Sequence, residues 1–288
     1  MNTLTIAEAP TPARAPERAV HATLTFPGVM RAEWIKLLSL RSTWWSLGLT
    51  VAVMTLFALG QATSLDFIAQ DPETAPTLGA IHGAEIISRG YQLGMITIAV
   101  LGALLITGEY STGMIRSTLA AVPTRLPVLA AKAIAVSVAT AIVTVLSLVL
   151  TYLISSPLLA EHDLVPRLDD AQTWQVAAGM AYFLIAAALF SLGMGTLLRS
   201  TAGAVTASLT VLLLLPGILQ IIGLDWLQNL IDYLPQPAAT AFLTVSDVDL
   251  AGHATSQELS PVAGLLIVAA YAIVPMVLAA VSLRRRDA

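Results

Sequence analysis

The sequence predicts an all-α, polytopic membrane protein with six transmembrane helices, both termini cytoplasmic, and amphipathic helices at the interfaces. Three observations lead there. Hydrophobic residues make up 57% of the chain and charged residues 11%, against about 25% charged in an ordinary soluble domain. A soluble fold of this length could bury a large core, but it would need far more polar residues to cover it. The apolar excess lies in long runs, and the charges between them are segregated by sign.

Residues 1–28 are rich in Ala, Pro and Thr, without apolar periodicity, and predict a disordered cytoplasmic tail. The first apolar run begins only near Thr43 and is longer than a signal-peptide core, so a cleaved secretory signal is not expected. Residues 29–288 form one six-helix domain. At its start, Val29–Ser42 predicts a helix lying in the interface. Met30, Trp34, Leu37 and Leu38 fall on one side of it, and Glu33, Lys36 and Ser39 on the other. Trp34, Trp44 and Trp45 suit the headgroup level.

By length and apolarity the spans fall at Thr43–Ala62, Gln92–Thr107, Leu126–Ser156, Trp174–Leu198, Thr201–Leu224 and Pro261–Leu283. The second is short for a bilayer of about 30 Å, which allows a start within Ile81–Tyr91, with Glu85 and Arg89 near its outer end. Only Arg199–Ser200 separates the fourth and fifth, which predicts a tight antiparallel hairpin. Ser191, Gly193 and Gly195 permit close helix approach, and Pro216–Gly217 predicts a bend in the fifth span.

Between the second and third spans lies the stretch Thr107–Lys132. On a helix, Ile115, Leu119 and Val122 share one face at i, i+4 and i+7. Glu109, Gly113, Arg116, Ser117 and Ala120 gather opposite. Pro123 ends the helix because it lacks the N–H that the ladder needs, and Arg125 and Lys132 follow. A short amphipathic helix over about 109–122 is therefore expected on one side of the membrane. On the other side, Asp225–Leu234 places Trp226, Leu227, Leu230, Ile231 and Leu234 on one face. It predicts a helix resting on or dipping into the outer surface, ended by Pro235 and Pro237.

Charge sets the orientation. Arg14, Arg18, Arg31, Lys36, Arg41, Arg116, Arg125, Lys132, Arg199, Arg284, Arg285 and Arg286 lie on the N-terminal side, leaving only Arg89 and Arg167 opposite. That side is expected to be cytoplasmic.

Several chemistries are excluded. No cysteine is present, so there are no disulfides, thiolate metal sites or cysteine nucleophile. Neither of the two lysines, Lys36 and Lys132, sits in a phosphate-binding Gly-rich loop. A basic, aromatic-interleaved surface for nucleic acid is also missing. No ionisable side chain falls centrally in a predicted span, which argues against a proton-driven carrier. His21, His82, His162 and His253 are scattered without ligand spacing and read as solvated loop residues.

Glu33–Trp34 and Lys36 precede six spans. Glu109, Gly113–Met114–Ile115–Arg116, Pro123–Thr124–Arg125 and Lys132 occupy the loop after the second, and Tyr233–Leu234–Pro235 precedes the last. Over residues 29–288 this resembles the membrane (permease) subunit of a type-2 ATP-binding-cassette (ABC) exporter; Met114 departs mildly from the Thr frequent in that family.

The resemblance implies a plasma-membrane subunit of bacterial type that forms the export path and is not itself an enzyme. Glu109, Gly113, Ile115, Arg116, Leu119, Pro123 and Arg125 would form a coupling helix docking on a separate P-loop ATPase dimer. Glu33, Trp34 and Lys36 would belong to a connecting helix, and Trp226, Leu230 and Leu234 to an outer re-entrant helix. No cofactor is expected in this chain, ATP and Mg being bound by the partner, and no metal. A homodimer, or a pair with a similar permease, is implied. The alternatives are a non-transporting membrane assembly or sensory protein and an ATP-independent secondary carrier. The residues do not reveal the cargo; a path without charges suits an amphipathic or lipid-like one.

Overall fold

The computed structural model describes residues 25–72, 74–122, 124–222, 230–246, 248 and 259–285. Among these there are helices and turns and no strands. The chain begins with α1 (Phe26–Ser39), α2 (Arg41–Gln70), a 3₁₀ turn at Ala75–Ala80, α3 (Gly83–Ser88), α4 (Tyr91–Ser111) and α5 (Met114–Ala121). It continues through α6 (Leu126–Ala160), α7 (Ala171–Leu198), α8 (Thr201–Leu209) and α9 (Leu215–Ile222), and ends with α10 (Pro235–Leu243) and α11 (Pro261–Arg285). Six helical stretches are long and apolar enough to span a bilayer.

The second span is longer than its apolar run. It starts at Gly83 and reaches Ser111, with a break at Arg89–Gly90 between α3 and α4. Gly90 lies hard against α2, where an added Cβ would come 2.2 Å from the Met54 carbonyl oxygen. This span and α7 form the buried centre, while the span containing α8 and α9 is mostly exposed.

In lipid the tails are as apolar as the side chains, so helix pairing relies on close packing. Here α4 and α7 approach at Gly102, where a Cβ would come 2.4 Å from the Ala188 carbonyl oxygen. At Gly193, α7 approaches α11, with Pro275 Cβ at 2.7 Å from the built position. Between α4 and α7, Tyr91 and Phe183 meet edge to face, centroids 5.5 Å apart.

The structure changes or refines several sequence expectations. In α1 the buried residues are Val29, Glu33 and Leu37, with Ile35 and Leu38 exposed. Glu33 thus shares a face with Leu37 instead of opposing it, because α1 packs on α6 and a buried cation there supplies its partner. Pro235 also starts a helix; at its first position the missing N–H is harmless. That helix, α10, buries Ala238, Ala239, Phe242 and Leu243 against α7 and α11.

Of the predicted outer helix, Ile231 and Leu234 are buried and Leu230 is half exposed, while Trp226 lies outside the described residues. The fifth span accommodates Pro216 with a π turn at Thr210–Leu214, in which the Leu215 N–H donates to the Thr210 carbonyl. Finally, two histidines are structural. His82 Nε2 sits 2.7 Å from Asp170 Oδ2, its Nδ1 accepts from the Ala84 N–H, and His162 Nε2 is 3.0 Å from Asp66 Oδ1. These contacts lie at the end of the bundle away from α5. There too, buried Glu85 accepts the Val245 and Ser246 N–H groups at 2.6 and 2.7 Å. Burial of that carboxylate is tolerated because backbone donors meet it.

Candidate functional site at the α5 end of the bundle

The turn from α4 into α5 requires a left-handed residue, and Gly113 supplies it at φ 72° without steric penalty. The helix that follows, Met114–Ala121, is shorter than the predicted 109–122. Its apolar face turns inward. Ile115 and Leu119 are buried with Leu37, Leu105, Leu129 and Leu283, and Val122 packs with Val29, Val128 and Ala131. Arg116, Ser117, Ala120 and Ala121 are exposed, as is Met114. Pro123 lies outside the described residues.

Glu109 is placed differently from expectation. It belongs to the last turn of α4 and is buried, not carried on the open face of α5. Glu109 Oε1 receives Lys132 Nζ at 2.5 Å and Lys36 Nζ at 2.9 Å. Glu33 completes the group, with Oε2 2.6 Å from Lys132 and Oε1 2.7 Å from Lys36. Two carboxylates and two ammoniums form a neutral quartet drawn from α1, α4 and α6. Lys132 is 1% exposed and Glu33 2%, so each charge depends on its partners; an isolated one would not remain ionised there.

The quartet also reaches α5. Lys36 Nζ donates to Thr118 Oγ1 at 3.3 Å. Burial draws the Lys36 pKa down, but the hydrogen bonds and negative charges of Glu33 and Glu109 more than offset this and hold it above the usual lysine value. Around the quartet two arginines tie further elements. Arg125, at φ 57°, donates from Nη1 to the Leu283 carbonyl at 2.9 Å, which fixes the end of α11 to the start of α6. Arg199, in the α7–α8 turn, stacks over the Tyr110 ring with Cζ 5.4 Å from its centroid.

Lys132 and Thr118 are the members that sequence reasoning left out of the site. A signal for Lys132 existed: one of only two lysines stands seven residues inside a 35-residue apolar helix. Trp34 is half-buried beside Leu37 and forms no part of the quartet. Among the described residues the quartet links α5, through Thr118 and Lys36, to α1, α4 and α6.

The sequence model of a family described as ABC-2 family transporter protein matches residues 29–288. No curated protein matches the chain.

Proposed function

The chain belongs to the ABC-2 transporter family, and from that premise we propose that it is an export permease driven by ATP hydrolysed on a separate subunit. It is a multi-pass membrane protein with an ABC permease role. The finer reading places the α5 end in the cytoplasm, with both termini. There the exposed face of α5 docks on a P-loop ATPase dimer, and two copies of the permease, or this one and a similar chain, enclose the path. Nucleotide chemistry belongs to the partner, because this sequence has no Gly-rich phosphate loop.

One observation carries the proposal: a two-turn helix outside the bundle with Arg116 exposed, its inner face tied by Lys36 to a buried ion quartet. A loose polar loop would absorb displacement. A helix packed on the bundle by Ile115 and Leu119 and hydrogen-bonded through Thr118 to the quartet passes it on. Arg116 on the open face can form the charge-assisted contact that sets register with a partner.

The test is co-purification with a P-loop ATPase subunit. Arg116→Glu should lose the ATPase from the membrane complex and lose transport while insertion is unchanged. Retention of both would overturn the docking role.

A further inference from the structure

At the end of the bundle away from α5, Arg89 is a cation that the described residues leave unmatched. The other arginine there, Arg167, lies on the surface and forks onto Asp169, with Nε 3.2 Å from Oδ1 and Nη2 2.9 Å from Oδ2. Arg89 is half-buried in the second span, and among the described residues its guanidinium makes no hydrogen bond and no ion pair. A guanidinium keeps its charge and carries five N–H donors. Partial burial without an acceptor is costly for it.

Arg89 borders a pocket of about 70 Å³ between the second span and α10, lined also by Glu85, Ser88, Gln92 and Thr240. The hydroxyls of Ser88 and Thr240 donate to the Glu85 and Pro237 carbonyls at 3.0 and 2.7 Å. Among these residues the side-chain nitrogens of Arg89 and Gln92 are therefore the donors for an occupant. Glu85 does not neutralise Arg89. Its Oε1 is held by the Val245 and Ser246 N–H groups, and no ion pair joins the two side chains.

Depth points to the kind of occupant. The second span runs over 29 residues, Gly83–Ser111, or about 43 Å at 1.5 Å per residue. A bilayer measures about 40–45 Å with its headgroups and about 30 Å without them. Arg89, six residues from Gly83, lies about 9 Å inside that end, at the edge of the hydrocarbon. A long cationic side chain at this depth extends toward the phosphate level.

We infer that the Arg89 pocket binds the phosphodiester of a membrane phospholipid. It is too small for a whole lipid and takes the phosphate alone. The acyl chains run along the surface that begins at Leu93, one turn deeper and 36% exposed. Glu85 selects the charge of the ligand: a phosphodiester is a monoanion, whereas free phosphate is partly divalent near neutral pH, and a second negative charge beside a carboxylate is repelled. The inference stands apart from the coupling role of α5.

The test uses the delipidated full chain in a non-ionic detergent, treated with the arginine reagent phenylglyoxal. Modification of Arg89 and Arg167 is followed by mass spectrometry. Dioctanoyl phosphatidylglycerol should slow modification of Arg89 at least tenfold and leave Arg167 unchanged. Dioctanoylglycerol, with the same chains and no phosphate, should slow neither. Gln92→Leu should raise the lipid concentration for half-protection about tenfold, as for one hydrogen bond to a charged group. In native mass spectrometry Arg89→Gln should lose the single phosphatidylglycerol that the natural chain retains. Arg89 modified at the same rate with and without phosphatidylglycerol, or protected equally by dioctanoylglycerol, would overturn the inference. Equal protection by inorganic phosphate at the same concentration would overturn the assignment to a lipid.

Discussion

Lys132 shows how a single residue can be legible as a type and opaque as a role. Its ammonium, seven residues into α6, is tolerated only because Glu33 and Glu109 both reach it. Replacing it with Met would leave two buried carboxylates with one cation, and breaking a buried pair costs about 3–5 kcal/mol. Lys132→Met should therefore lower the thermal midpoint in detergent sharply. Adding Glu109→Gln should restore part of the loss, because Glu33 and Lys36 then remain as a neutral pair. Strict additivity of the two would show that the charges do not act together.

Lys36 makes a pH statement as well. Its pKa is raised in the folded chain, so its contribution is complete below the ordinary lysine value of about 10.4 and is lost only as pH rises through the raised one. The difference in thermal midpoint between the natural chain and Lys36→Met should accordingly be flat from about pH 6 to 9 and shrink in stronger alkali. A difference that shrinks already near neutrality would contradict the tie through Lys36.

At the level of elements, the seam between α4 and α7 and the entry to α5 are the sensitive points. A methyl group at Gly102 has no room beside the Ala188 carbonyl, and neither partner there is a flexible side chain. Overpacking of this kind costs about 1–3 kcal/mol. Gly102→Ala should lower the thermal midpoint measurably, whereas Gly108→Ala, with open space at its Cβ position, should not. Gly113→Ala imposes a left-handed conformation on a residue with a Cβ, at about 1–2 kcal/mol. The global midpoint should move little, while ATPase docking, read by co-purification, should weaken because α5 changes direction. Unchanged docking would mean that the angle of α5 is immaterial.

For the whole molecule, orientation is the decisive expectation. The natural chain contains no cysteine, so single-cysteine variants report location directly. A cysteine at exposed Ala121 should react with an impermeant maleimide only after lysis, and one at exposed Arg167 in intact cells. The opposite pattern would invert the proposal, placing α5 where no ATPase could reach it.

Six spans, the Arg199–Ser200 hairpin and the apolar face of α5 were all readable, because apolar length and helical spacing are local properties. The small residues of α7 marked a close seam for the same reason. Less was readable at chain positions where a charge or a proline takes its meaning from a distant partner. Glu33 and Glu109 looked like residues of a wet surface, yet each is buried against a lysine up to 99 residues away. Pro235 looked like a stop and also begins a new helix, since its missing N–H is harmless at a helix's first position.

By itself the sequence determined that this chain lives in a membrane, how many times it crosses, and which short helix stands outside the bundle; transfer of apolar residues from water decides those matters one segment at a time. Only the tertiary structure decided which charges are buried, which polar groups share a pocket, and which elements move as one. Those outcomes depend on pairs brought together by packing, and no single segment contains both members of the pair.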